Sequence, residues 1–90
     1  MPIDLERWKT LSLRDQLGHI ASEIFRANLM KNKNQSIYLQ IIERAINFID
    51  ISLNDEKWQK NPLLLLILRD ELSKAYIDKN LNLDKICKAL

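Results

Sequence analysis

The stretch SIYLQIIERAINFIDISL, residues 36–53, decides the fold. Ser36 reads as an N-cap, and Ile37–Leu53 as the helix that follows it. At about 100° per residue, the apolar positions Ile37, Tyr38, Leu39, Ile41, Ile42, Ala45, Ile46, Phe48, Ile49 and Leu53 spread over an arc of roughly 200°. Gln40, Glu43, Asn47, Asp50 and Asn54 share the narrow polar remainder. A helix packed on one neighbour needs an apolar stripe of only about 100°. This helix is therefore predicted to touch two or more neighbours, at the centre of a bundle or of an oligomer.

Working toward the N-terminus, Lys31–Gln35 is a polar loop. Before it, a helix is predicted from about Leu13 to Met30, with Ser12 as N-cap and Asp15 in the first turn, where a carboxylate suits the positive helix end. Its apolar residues, Leu13, Leu17, Ile20, Ala21, Ile24, Phe25 and Leu29, recur at spacings of three and four and define one face. A short helix capped by Asp4 runs through Leu11, with Trp8 and Leu11 on one side.

Toward the C-terminus, Asn54–Lys60 is polar and contains Trp58. Asn61 and Pro62 then read as N-cap and first helical residue. The helix they open runs to about Asp78; it is apolar on every side from Leu63 to Leu68 and narrows to Leu72, Ala75 and Tyr76. After a break at Asn80–Asn82, Leu83, Ile86, Cys87 and Leu90 have the spacing of a short amphipathic helix. The fold expected is all-α: one domain, residues 1–90, built as an antiparallel bundle of three long helices with short N- and C-terminal helices.

Composition agrees. One Gly and two Pro leave few turn residues for a multi-stranded protein, and Val is absent while Leu, Lys, Glu, Gln and Arg are plentiful. The net charge of +2, mixed in sign along the chain, is too weak and too scattered to argue for nucleic acid by itself. Cys87 is the single cysteine, so there is no internal disulfide and no cysteine-based metal site. The opening Met1–Asp4 has no secretory pattern, and Leu63–Leu68 falls far short of the roughly 20 apolar residues of a membrane span. A cytoplasmic protein that does not enter the membrane is expected, with no metal and no cofactor.

Several residues stand out as candidate sites. Gly18, the only glycine, lies inside a predicted helix, with Ala21 and Ser22 three and four residues on. This small-residue cluster suits a close helix crossing; the alternative is that Gly18 ends a shorter helix. Trp8 and Trp58 each sit among charges, in the similar strings Glu6-Arg7-Trp8-Lys9 and Glu56-Lys57-Trp58-Gln59. They read as covers over open ends of the core, or as interface anchors. The wide arc of residues 37–53 and the all-apolar turns together suggest more apolar surface than one small chain can hide. Leu39, Ile46, Leu53, Leu63, Leu66 and Ile67 are the expected interface of a homo-oligomer, a dimer being favoured.

The string Arg14-Asp15-Gln16-Leu17-Gly18-His19 resembles the Arg-x4-His signature of HEPN ribonucleases. The resemblance covers six residues. It implies a metal-independent RNA-cleaving site, or an inactive relative, at a dimer cleft, with His19 exchanging a proton and Arg14 stabilising phosphate charge. A second pattern, Gln16-Leu17-Gly18-x-Ile20-x-Ser22-Glu23, resembles small bacterial helical proteins without a known activity. The expected role is a non-enzymatic, self-associating interaction and assembly module. The alternatives are the HEPN-like ribonuclease and an accessory protein binding nucleic acid through Lys31, Lys33, Lys57 and Lys60.

Overall fold

Ser12 starts the first long helix: its hydroxyl accepts a hydrogen bond from the amide of Asp15 at 3.1 Å, satisfying a donor that the helix itself leaves free. In the computed structural model, which describes residues 5–77, five helices follow one another, and no strand occurs among the described residues. They are α1 (Leu5–Thr10), α2 (Leu13–Met30), α3 (Gln35–Leu53), α4 (Glu56–Gln59) and α5 (Leu63–Ile77). The three long helices of the sequence reading are α2, α3 and α5. Asp4, the expected cap of the first helix, and the short helix expected at Leu83–Leu90 lie outside the described residues.

Helix α3 is the hub: α2, α4 and α5 all pack on it. Asn34, rather than Ser36, caps it, with its side-chain oxygen accepting from the amide of Ile37 at 3.1 Å. Tyr38, Ile41, Ile42, Ala45 and Ile49 are buried, and Leu39, Ile46, Phe48 and Leu53 pack against the same core partly buried. The wide apolar arc is thus largely filled within the chain. Leu39, Ile46 and Leu53, expected at an oligomer interface, find neighbours in their own core. The Tyr38 hydroxyl donates to the carbonyl of Ala75 on α5 at 3.3 Å, and burial pushes its pKa up.

Helix α2 faces the core differently from its apolar spacing. The buried residues are Gln16, Ile20, Glu23, Ile24 and Ala27. Phe25 and Leu29, read as part of the core face, are 53% and 64% exposed, on the side of the helix roughly 160° away. Leu13 is exposed as well. Spacings of three and four fit two stripes of this helix, and the stripe that wins includes a glutamine and a glutamate because both find partners inside.

The polar stretch before α5 contains the one-turn helix α4, capped by the Asp55 carboxylate on the Lys57 amide at 3.1 Å. Pro62 occupies the cap of α5, its carbonyl accepting from Leu66 at 3.0 Å, one residue from the expected position and within the usual latitude of helix boundaries. Leu65, Leu68, Leu72 and Ala75 give α5 its buried stripe. Leu63, Leu64, Leu66 and Ile67 stay 61%, 38%, 48% and 50% exposed. No described helix is long and apolar enough to cross a membrane.

Candidate functional site

Arg14 and His19 are both exposed on α2. They lie five residues apart, which is about 140° around the helix, so they stand on opposite rims rather than side by side. Between them runs a shallow, open depression lined by Leu11, Arg14, Asp15, Gly18, His19 and Ser22. The His19 ring lies 5.7 Å from that of Trp8, tilted at 51°. The structure therefore brings the Arg14–His19 pair to one surface feature without pairing the two side chains. Among the described residues, no group of three His, Cys, Asp or Glu side chains could hold a metal ion.

Gly18 has an ordinary helical backbone, with no positive φ. A Cβ built on it meets nothing within 4 Å among the described residues. The expected close crossing at Gly18, Ala21 and Ser22 is thus not made by any described element of the chain. Gly18 does not end the helix either, since α2 continues to Met30.

The two tryptophans converge on one residue that sequence reasoning missed. The Trp58 indole N–H donates to Gln16 Oε1 at 2.7 Å, and Gln16 Nε2 donates to the Trp8 carbonyl at 2.9 Å and to Asp55 Oδ2 at 3.3 Å. The Trp8 indole donates to Ser52 Oγ at 2.9 Å, and the Ser52 hydroxyl in turn donates to the Phe48 carbonyl at 2.8 Å. Trp8 also stacks on Phe48, ring centroids 4.7 Å apart. Gln16 and Ser52 are fully buried. A buried indole requires an acceptor, and that requirement is the signal that could have pointed to Gln16, which falls in line with Ile20, Glu23 and Ala27.

Lys57 closes this network from outside, donating to Asp55 Oδ2 at 2.8 Å and to the Lys9 carbonyl at 2.6 Å. Its hydrogen bond is the main reason the Asp55 carboxyl is held below the usual carboxylate range, against the opposing effect of burial. The network binds α1, α2, α4 and the end of α3 together. Both indoles and the Gln16 amide donate to protein acceptors, which makes the network a structural joint.

Glu23 is the other buried charge. Its Oε1 lies 3.2 Å from Arg26 and 3.6 Å from Arg44, while Oε2 is buried without a hydrogen-bond partner among the described residues. Two guanidinium groups offset the charge and tie α2 to α3. Toward α5, Arg69 pairs with Asp50 at 2.6 Å and the Tyr76 hydroxyl donates to Glu43 at 2.7 Å. The four lysines of the nucleic-acid alternative fall at the two ends of α3, a helix about 28 Å long by its 19 residues. Lys57 is already committed to Asp55 and Lys9. No single basic surface results.

No family model matches the chain, and no curated protein or solved structure does either.

Proposed function

We propose that this protein is a non-enzymatic interaction and assembly module of the cytoplasm, an antiparallel three-helix bundle that self-associates through the first turns of α5. One observation carries the reading: Leu63, Leu64, Leu66 and Ile67 are exposed together on successive turns. A patch this apolar is unusual on a monomer and marks an interaction surface. The occupant best suited to it is a second copy. A surface of leucine and isoleucine is complementary to itself and holds no charge that repels its own image. The charges farther along the same helix are neutralised locally, Lys74 pairing with Asp70 at 2.9 Å and Glu71 at 3.7 Å. The antiparallel arrangement is supported by the cross-links Tyr38–Ala75 and Asp50–Arg69, whose numbers run in opposite directions along α3 and α5.

The test is the mass in solution. Sedimentation at micromolar concentration is expected to give a dimer or small closed oligomer, and Leu66→Glu to reduce it while leaving the helical content unchanged. A wild-type protein that sediments near the monomer mass of 10.6 kDa defeats the proposal.

A further inference from the structure

Gly18 is unexplained by the described residues. Mid-helix glycine weakens a helix relative to alanine, its φ is not one that requires glycine, and no described neighbour would crowd a side chain there. Its effect is on the outside: it deepens the depression between Arg14 and His19. Four of the six lining residues, Asp15, Gly18, His19 and Ser22, lie on α2 at spacings i, i+3, i+4 and i+7. That is the four-residue hole that receives a side chain from a facing helix.

The same face carries two side chains with nothing to fill. Phe25 and Leu29 are 53% and 64% exposed and lie within about 20° of Gly18 around the helix. We propose that the α2 helices of two copies pack antiparallel across a two-fold axis, Phe25 of each entering the Asp15–Ser22 hollow of the other, with Leu29 beyond it toward the start of the partner helix. A two-fold parallel pair sets each residue level with its own copy, so Phe25 can reach a hollow framed by residues 15–22 only in an antiparallel pair. Charge agrees. Asp15 and Arg26 share an edge of the face, about 20° apart around the axis. The two-fold of the antiparallel pair sets Asp15 of each copy on the same side as Arg26 of the other. The Arg26 side chain is 62% exposed, with a single nitrogen engaged on Glu23.

This contact is separate from the α5 surface and does not rest on it. It also covers the depression, so the contact and an RNA-cleaving use of Arg14 and His19 exclude each other. One helix pair is smaller than a standard interface of about 800 Å² per partner, so the association is weak.

The experiment is sedimentation velocity over a micromolar-to-submillimolar series, in a Leu66→Glu background that silences α5. That protein is expected to dimerise at the upper end of the series. Adding Gly18→Leu, which fills the hollow, is expected to weaken the dimer at least ~10-fold, and Phe25→Ser, at an exposed knob, to do the same. Thermal melts of the Gly18→Leu protein should show stability equal to or above that of its parent, so a lost dimer reports the contact. The proposal is overturned by a Leu66→Glu protein that is monomeric throughout, or by a dimer indifferent to Gly18→Leu. A single Gly18→Leu change that alone produces a monomer supports this contact and counts against the α5 surface.

Discussion

Helices α3 and α5 look alike in sequence and end differently in the structure. Each is apolar well beyond a one-neighbour stripe, α3 over its whole length and α5 through Leu63–Leu68. Helix α3 has α2, α4 and α5 around it, and the residues of its arc are buried or half-buried with the exception of Ile37, 40% exposed. Helix α5 packs chiefly on α3, and the side of its first two turns away from Leu65 and Leu68 faces outward. The width of an apolar arc therefore reports how many neighbours a helix needs. It does not report whether those neighbours belong to the same chain. Among the described residues, α3 lies between helices that fold back on it from both sides, whereas α5 packs chiefly on α3 alone.

The sharpest way to break this contrast is to truncate a buried side chain of α3. Ile49 is fully buried in the shared core. Ile49→Ala is expected to destabilise by about 2–5 kcal/mol, through lost transfer energy and the cavity left behind. For a domain of this size that lowers the melting midpoint by roughly 4–8 °C per kcal/mol. A loss below about 1 kcal/mol, read from denaturant unfolding, would mean that α3 is not the hub.

The hub was legible because the arc of residues 36–53 forces it, and so were the boundaries of α2, because Ser12 and Asp15 act locally. The core face of α2 was not legible. Leu13, Phe25 and Leu29 satisfy helical spacing as well as Ile20 and Ile24 do, and only the tertiary partners of Gln16 and Glu23 turn that helix. A glutamine takes a core position when a backbone carbonyl, an indole N–H and a carboxylate meet it there, and those come from α1, α4 and the loop before α4. Local pattern holds no record of such a meeting. The depression at Arg14 and His19 was half legible: spacing put both residues on one helix, and the outward turn of Phe25 and Leu29 gave the depression its neighbours.

The joint at the end of α3 sharpens the comparison by showing what polar burial can do where α5 has apolar exposure. Gln16→Leu keeps the volume roughly constant and leaves the Trp58 N–H without its acceptor, while the Trp8 carbonyl keeps the amide of Leu11. An orphaned buried group costs about 1–3 kcal/mol, so a loss of about 2 kcal/mol is the expected outcome. Trp58→Phe in the same protein removes that orphan, so the double variant should lose less than the sum of the two single changes. Strict additivity in denaturant unfolding would show that the 2.7 Å bond between Trp58 and Gln16 contributes nothing to stability.

Leu66→Ala is the counterpart of Ile49→Ala and should show the smallest effect of the three. Leu66 is 48% exposed, on the opposite side of α5 from its buried stripe of Leu65, Leu68, Leu72 and Ala75. At concentrations low enough to keep the protein monomeric, its truncation opens no cavity and leaves no polar group unpaired. Alanine is the best helix former, which offsets the modest apolar contact that is lost. The expected change lies within about 0.5 kcal/mol, the usual range for surface substitutions. At high concentration the same variant should lose stability relative to wild type, because an oligomer adds stability by mass action and a weakened interface adds less. The two conditions together separate the possibilities. A cost of about 2 kcal/mol already present at high dilution would mean that the outer turns of α5 are covered within the chain, as the arc of α3 is, and the distinction between the two helices would disappear.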